Sequence, residues 1–133
     1  MIHEGLSYTF PKNERLSGKK EIEELFKNGS SFYLHPFIFR YLQADKEQNH
    51  KVLFSVPKKK FKRAVDRNLV KRRLREAYRL NKHHLNNSQD FYYLGFVYIE
   101  KTIIPFSEIE SRLVKTLKRF TNQIAENENQ INL

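Results

Sequence analysis

The chain has 133 residues, within the size of one domain and long enough to bury a core, with 11 Phe and 7 Tyr but no Trp. It contains no Cys, which excludes disulfides and thiolate metal sites, and its formal net charge is +10. No apolar run approaches the roughly 20 residues of a membrane span. The N-terminus has no basic stretch leading into an apolar one, so a cytoplasmic protein without a signal peptide or membrane role is expected.

In chain order, residues 1–16 read as an irregular N-terminal arm ending in Phe10-Pro11-Lys12-Asn13. Ser17 or Gly18 can cap a first helix running to about Lys27, with Ile22, Leu25 and Phe26 on one side and Asn28-Gly29 as its stop. Glu21, Glu23 and Glu24 fall on the solvated side of that helix. A strand is predicted from Phe37 to Gln43, and Pro36 just before it argues for a strand start or a sheet edge. Alternation puts Phe37, Phe39 and Tyr41 on one face and Ile38, Arg40 and Leu42 on the other. Ala44 to His50 is a polar hairpin loop, after which Val52, Phe54 and Val56 alternate as a second strand stopped by Pro57.

The next segment holds most of the charge. Eleven of the 25 Lys and Arg lie between Lys58 and Arg79, opposed only by Asp66 and Glu76. A charge this concentrated is suited to a polyanion rather than to general solubility. At about 100° per residue, Val70, Leu74 and Ala77 fall together, with Leu69, Tyr78 and Leu80 at the margins. Arg67, Lys71, Arg75 and Arg79 form an i, i+4 ridge on the other side, with Asn68 and Arg72 beside it. Arg73 is a misfit near the apolar edge, where its stem can snorkel. Asp66 sits in the first turn, where the helix dipole favours an acid.

Beyond a polar connector from Asn81 to Asp90, Phe91 to Ile99 is almost continuously apolar and reads as a strand covered on most of both faces. Ser107-Glu108-Ile109-Glu110 forms a capping box after Pro105, opening a helix through Ile109, Leu113, Leu117, Phe120 and Ile124. Residues 125–133 are a polar tail expected to fray. The whole, 1–133, is one domain: an α+β sandwich with a small mixed sheet in the order α-β-β-(β)-α-β-α, the bracketed strand being optional. If the strands flanking the basic helix run parallel, general rules make the crossover right-handed.

Chemistry is hard to assemble from these residues. His3, His35, His50, His83 and His84 match no metal-ligand spacing, and His83-His84 suit a helix C-terminus. No catalytic and no metal-ligating residue is assigned, so the protein alone reads as a binder. Phosphate ligands are expected at Lys58, Lys59, Lys60, Lys62, Arg63, Arg67, Lys71, Arg72 and Arg75, with Asn68 able to bond a phosphate, a 2′-hydroxyl or a base edge. Phe26, Phe37, Phe39 and Tyr41 are each either stacking platforms for single-stranded RNA or core. The outlines left open are a ribosomal or ribosome-assembly protein and a DNA-binding regulator. The latter is disfavoured because no helix-turn-helix partner is evident.

The run Ala64-Val65-Asp66-Arg67-Asn68-Leu69-Val70-Lys71-Arg72-Arg73-Leu74-Arg75 resembles the signature helix of the bacterial ribonuclease P protein family. Arg15-Leu16, Ile22, Leu25-Phe26 and Gly29 resemble that family's first helix. The resemblance covers roughly residues 10 to 120 and implies a left-handed crossover around the basic helix, against the general rule. It implies a subunit of an endoribonuclease holoenzyme that removes the 5′ leader of precursor tRNA, with catalysis and Mg²⁺ belonging to the RNA subunit. The implied partners are that catalytic RNA and precursor tRNA, with no DNA, no membrane and no obligate protein partner. It further implies that the leader lies in a cleft between the first helix and the sheet, with Phe26 in that cleft and Ile22 where relatives often have Phe.

Overall fold

The structure, a computed structural model, describes residues 8–131, with the side chains of residues 8–127. The parts of the predicted arm and tail at residues 1–7 and 132–133 lie outside the described residues. A short 3-10 turn at Lys12–Glu14 precedes α1 (Lys19–Asn28), β1 (Ser30–Leu34), β2 (Phe37–Gln43), β3 (Lys51–Ser55) and α2 (Ala64–Asn81). A second 3-10 turn at Lys82–Leu85 leads to β4 (Tyr92–Tyr98) and α3 (Phe106–Ile131). The strands form one mixed sheet in the order β1-β2-β4-β3, with β3 and β4 parallel and the other pairs antiparallel.

Each strand shows one aromatic-rich row to the helices behind it. Val52, Phe54, Phe37, Phe39, Phe32, Leu94, Phe96 and Tyr98 all point to this inner face and are buried. α2 closes it with Val70, Leu74, Ala77 and Tyr78, and α3 with Ile109, Leu113, Leu117, Phe120 and Ile124. Rings interlock edge to face, as in Phe39–Phe120 at 5.4 Å and Phe37–Phe96 at 5.5 Å between centroids. Burying a dozen or more large side chains at about 1.5–3 kcal/mol each makes this single face the main source of stability. Thr116, the one buried polar residue among the described residues, donates its hydroxyl to the Arg112 carbonyl at 2.8 Å.

The outer face is different. Its row comprises Ser31 and Tyr33 on β1, Ile38, Arg40 and Leu42 on β2, Tyr93, Gly95 and Val97 on β4, and Lys51, Leu53 and Ser55 on β3. Of these only Gly95 is fully buried, beneath Leu25 of α1, and a Cβ placed there would stand 3.2 Å from Leu25 Cδ2. The glycine is therefore what lets α1 lie close against the sheet. α1 crosses one end of this face and leaves the rest open.

Both sheet edges are occupied. Along β3, Arg15 bridges to Val52, and Leu16 N–H donates to the Val52 carbonyl at 2.9 Å. At β1, Arg119 lays its guanidinium over the Phe32 ring at 4.2 Å and donates to the Tyr33 carbonyl at 3.1 Å.

The optional strand of the expected order is present as β1, at a place the alternation did not announce because Ser30-Ser31 beside Asn28-Gly29 and Pro36 reads as a turn. Other expectations are corrected. β2 lies inside the sheet rather than at an edge; the cis His35–Pro36 bond sits in the β1–β2 turn, so Pro36 marks a strand start and removes no ladder hydrogen bond. α3 starts one residue before the predicted cap: the Pro105 carbonyl accepts from Ile109 N–H at 3.1 Å, which places Ser107 inside the first turn. The helix also runs on to Ile131, so the tail beyond residue 125 is helical through most of its length. In the arm, Phe10 is buried against Phe54 and Tyr78, at 5.9 and 5.4 Å between centroids.

Candidate nucleic-acid interface

α2 carries the cations, and its burial divides them. Lys58, Lys59, Lys62, Arg63, Arg72 and Arg75 are exposed, as is Asn68, whose side chain makes no hydrogen bond among the described residues. Lys60, Arg67 and Lys71 are half-buried. The solvent ridge therefore runs through Asn68, Arg72 and Arg75, rotated from the predicted ridge of Arg67, Lys71, Arg75 and Arg79. The reason is that Tyr78 is buried along with Val70 and Leu74, which swings the apolar stripe toward Arg67 and Lys71.

Three arginines of the helix have tasks within the fold. Arg67 donates to the carbonyls of Phe61 and Lys62 at 2.8 and 3.0 Å, and so shapes the basic loop that precedes it. Arg73, the misfit, donates to the Ile104 carbonyl at 2.8 Å and braces the loop between β4 and α3. Tyr98 holds the same loop, its hydroxyl donating to the Thr102 carbonyl at 2.6 Å and accepting from Ile104 N–H at 3.3 Å. Arg79 pairs with Glu76, holding that carboxyl below its usual range, and donates to the Tyr8 carbonyl at 2.7 Å. Arg63 stands 3.8 Å from Asp66 and remains largely exposed. What is left to solvent among the described residues is a band of Lys58, Lys59, Lys62, Arg63, Arg72 and Arg75 with Asn68 among them.

The loop carrying Lys58 to Lys62 is fixed to the end of the sheet by Phe61, which is buried with its ring 6.1 Å from that of Tyr98. That end is the open one. There the outer face offers Ile38, Val97, Leu53 and Ser55, half exposed, as a floor. α1 supplies a wall: Ile22 and Phe26, four residues apart, flank Leu25 on one side of the helix. Phe26 is 38% exposed, and the Arg40 guanidinium lies 5.2 Å from its ring centre and donates to its carbonyl at 3.4 Å. One side of the sheet thus carries an aromatic ring, a planar cation and an apolar floor beside the basic loop.

Phe37 and Phe39 lie elsewhere. Both are fully buried on the inner face, and Tyr41 is half-buried there, its ring 5.0 Å from Phe120 and its hydroxyl donating to Gln123 at 3.2 Å. They face away from α1, so of the candidates for the cleft only Ile22 and Phe26 border it. Arg40 and Tyr33, which the sequence reading does not place among the cleft candidates, stand on the same outer face. The signal for Arg40 was present, since on a half-solvated sheet the row that carries a charge is the outer one.

At the far end of the outer face carboxylates and lysines alternate, and Lys51 pairs with Glu47 at 3.0 Å. Tyr93 donates to Glu47 at 3.2 Å, and its hydroxyl pKa is pushed up to about 12, first by burial, then by Glu47 and by Glu21 and Glu24. Among the described residues no three His, Cys, Asp or Glu side chains come together as a metal-ligand set. No helix among them is long and apolar enough to cross a membrane.

Residues 10–121 match the family model described as Ribonuclease P. The chain is 35% identical over 124 residues to the ribonuclease P protein component of Porphyromonas gingivalis, covering 89% of this chain and 90% of that one. It is 30% identical over 113 residues to the Petrotoga mobilis ribonuclease P protein component, covering 84% and 94%. Among solved structures, an RNase P protein mutant of Staphylococcus aureus superposes with a TM-score of 0.71 at 21% identity, over 83% of this chain and 90% of that one. The RNase P protein of Thermotoga maritima gives 0.68 at 23% identity, over 80% and 96%. At these identities the two structures bear on the fold alone.

Proposed function

The chain belongs to the ribonuclease P protein family, and on that premise we propose that it is the protein subunit of ribonuclease P, the endonuclease that removes the 5′ leader of precursor tRNA. The exposed cations of α2 and its preceding loop dock on the catalytic RNA. Arg63, Arg72 and Arg75 meet phosphates in bidentate fashion, while Lys58, Lys59 and Lys62 act as point charges. The leader lies along the open outer face, against the wall of Ile22 and Phe26. The observation that supports this reading is the placement of the two surfaces: the exposed Phe26 ring with Arg40 over it stands on the outer face, and Phe61 ties the basic loop to the end of the same sheet.

Hydrolysis in this reading belongs to the RNA subunit. Mg²⁺ is likewise assigned to the RNA and the substrate on the family resemblance; among the described residues no three His, Cys, Asp or Glu side chains come together to hold it. The protein's part is to bind and orient: it neutralises phosphates, which strengthens substrate binding and favours cation binding by the RNA, and it fixes the leader by stacking.

Reconstitution tests this. At low Mg²⁺, adding the protein to ribonuclease P RNA should restore cleavage of precursor tRNA at the mature 5′ end, and RNA-free protein should cleave nothing. Cleavage by rigorously RNA-free protein, or a holoenzyme indifferent to the protein at low Mg²⁺, refutes the assignment.

A further inference from the structure

Among the described residues the Tyr33 side chain makes no hydrogen bond and no ring contact. It is the most exposed ring among the large apolar residues described, at 57%, yet it sits mid-strand rather than in a loop. Its register partner is Ile38, so its side chain rises from the outer face and not from the core. Arg40, two residues along from Ile38, is the diagonal neighbour of Tyr33, at a spacing of roughly 7–8 Å. Arg40 in turn lies over Phe26. From α1 to the sheet edge the outer face therefore presents a ring, a guanidinium plane and a second ring in sequence, with Ile38 beneath. The backbone under Tyr33 is anchored, since Arg119 holds its carbonyl and stacks on the adjacent Phe32. An aromatic held on a braced strand and left half in water is preorganised to accept a flat partner.

We propose that Tyr33 is a further stacking platform for the single-stranded leader, extending the track from Phe26 and Arg40 across to the edge strand. This rests on the leader-binding reading above. Rings are suited to the task because every base has a π-face, so stacking carries affinity without demanding a sequence. Position on the edge strand makes Tyr33 the distal contact, reached only by leaders long enough to cross from α1. It also supplies a second ring to a track whose α1 wall carries a ring at Phe26 but none at Ile22.

The test uses holoenzyme reconstituted with ribonuclease P RNA and reads the ratio of affinities for leader-bearing and leaderless tRNA, over a series of leader lengths. Tyr33→Ala should lower that ratio about fivefold for long leaders, the change that corresponds to about 1 kcal/mol, and leave it unaltered for the shortest. Tyr33→Phe should retain the wild-type ratio, and melting temperatures of all three proteins should agree because the ring is exposed. A Tyr33→Ala ratio equal to wild type, with Phe26→Ala reduced, overturns the role of Tyr33 alone. Wild-type holoenzyme that shows no leader dependence overturns it together with the leader-binding reading.

Discussion

Neighbouring arginines of α2 should respond oppositely to removal. Arg72 and Arg75 are exposed, whereas Arg73 is spent on the Ile104 carbonyl. Each phosphate neutralised contributes about 0.7 to 0.9 to the magnitude of the slope of log affinity against log salt. Replacing both Arg72 and Arg75 by Ala should therefore reduce that slope by about 1.4 to 1.8, and between 50 and 200 mM salt the deficit against wild type should shrink by about tenfold. Melting temperature should stay close to wild type, since neither side chain is engaged in the fold. Arg73→Ala removes a charged hydrogen bond worth about 1.5–3 kcal/mol, enough to lower the melting temperature by several degrees in a chain of this size. Its salt slope should remain that of wild type. The assay is titration of ribonuclease P RNA at several KCl concentrations beside thermal unfolding of each protein. An unchanged slope in the double variant, or a slope loss in Arg73→Ala without a loss of stability, would refute the division of the helix into a binding band and a bracing edge.

Phe26→Ala should lower affinity for leader-bearing tRNA about fivefold, from a stacking contribution of about 1 to 3 kcal/mol per base; a general loss of stability without leader selectivity would make the ring packing instead. Gly95→Val should drive a branched side chain against Leu25, at a cost of about 1–3 kcal/mol, and weaken leader binding by lifting α1; an unaltered urea midpoint would contradict the close approach. His50 has its pKa lowered from 6.5 to about 4, chiefly by burial, and its Nδ1 accepts from Tyr92 N–H at 3.1 Å. The unfolded chain takes up that proton near pH 6.5 and the folded one only near 4, so stability is full above the upper value and falls as pH drops between them, by up to about 3 kcal/mol. Urea unfolding at pH 7 and 4.5 measures this, and His50→Asn should remove most of the difference.

The elements that the sequence announced are those with long, regular periods. Val70, Leu74 and Ala77 at helical spacing placed α2, and the alternation of Val52 and Phe54 placed β3. Period alone cannot say which face of a strand is covered, so Phe37 and Phe39 stayed open between platform and core until the register with β4 and the rings of α3 were seen. β1 was hidden because five residues between two turn signals carry too few alternations, and Tyr33 was hidden with it. The cations were legible as a group but not one by one. Whether an arginine serves a phosphate or a carbonyl depends on loops packed from distant sequence, as Ile104 is against Arg73.

The treatment of the two sheet edges bears on how the protein survives before it meets RNA. A strand at an edge exposes a row of unpaired backbone groups that invite strands of other molecules, the more so beside an exposed tyrosine. On β3 the arm takes up that row with its own backbone at Arg15 and Leu16. On β1 a single side chain, Arg119, blocks it by binding the Tyr33 carbonyl and covering Phe32 with positive charge. The second safeguard is the thinner one: Arg119→Ala would leave five strand residues as a template for self-association, and the first symptom would be aggregation on concentrating the free protein rather than any loss of RNA affinity.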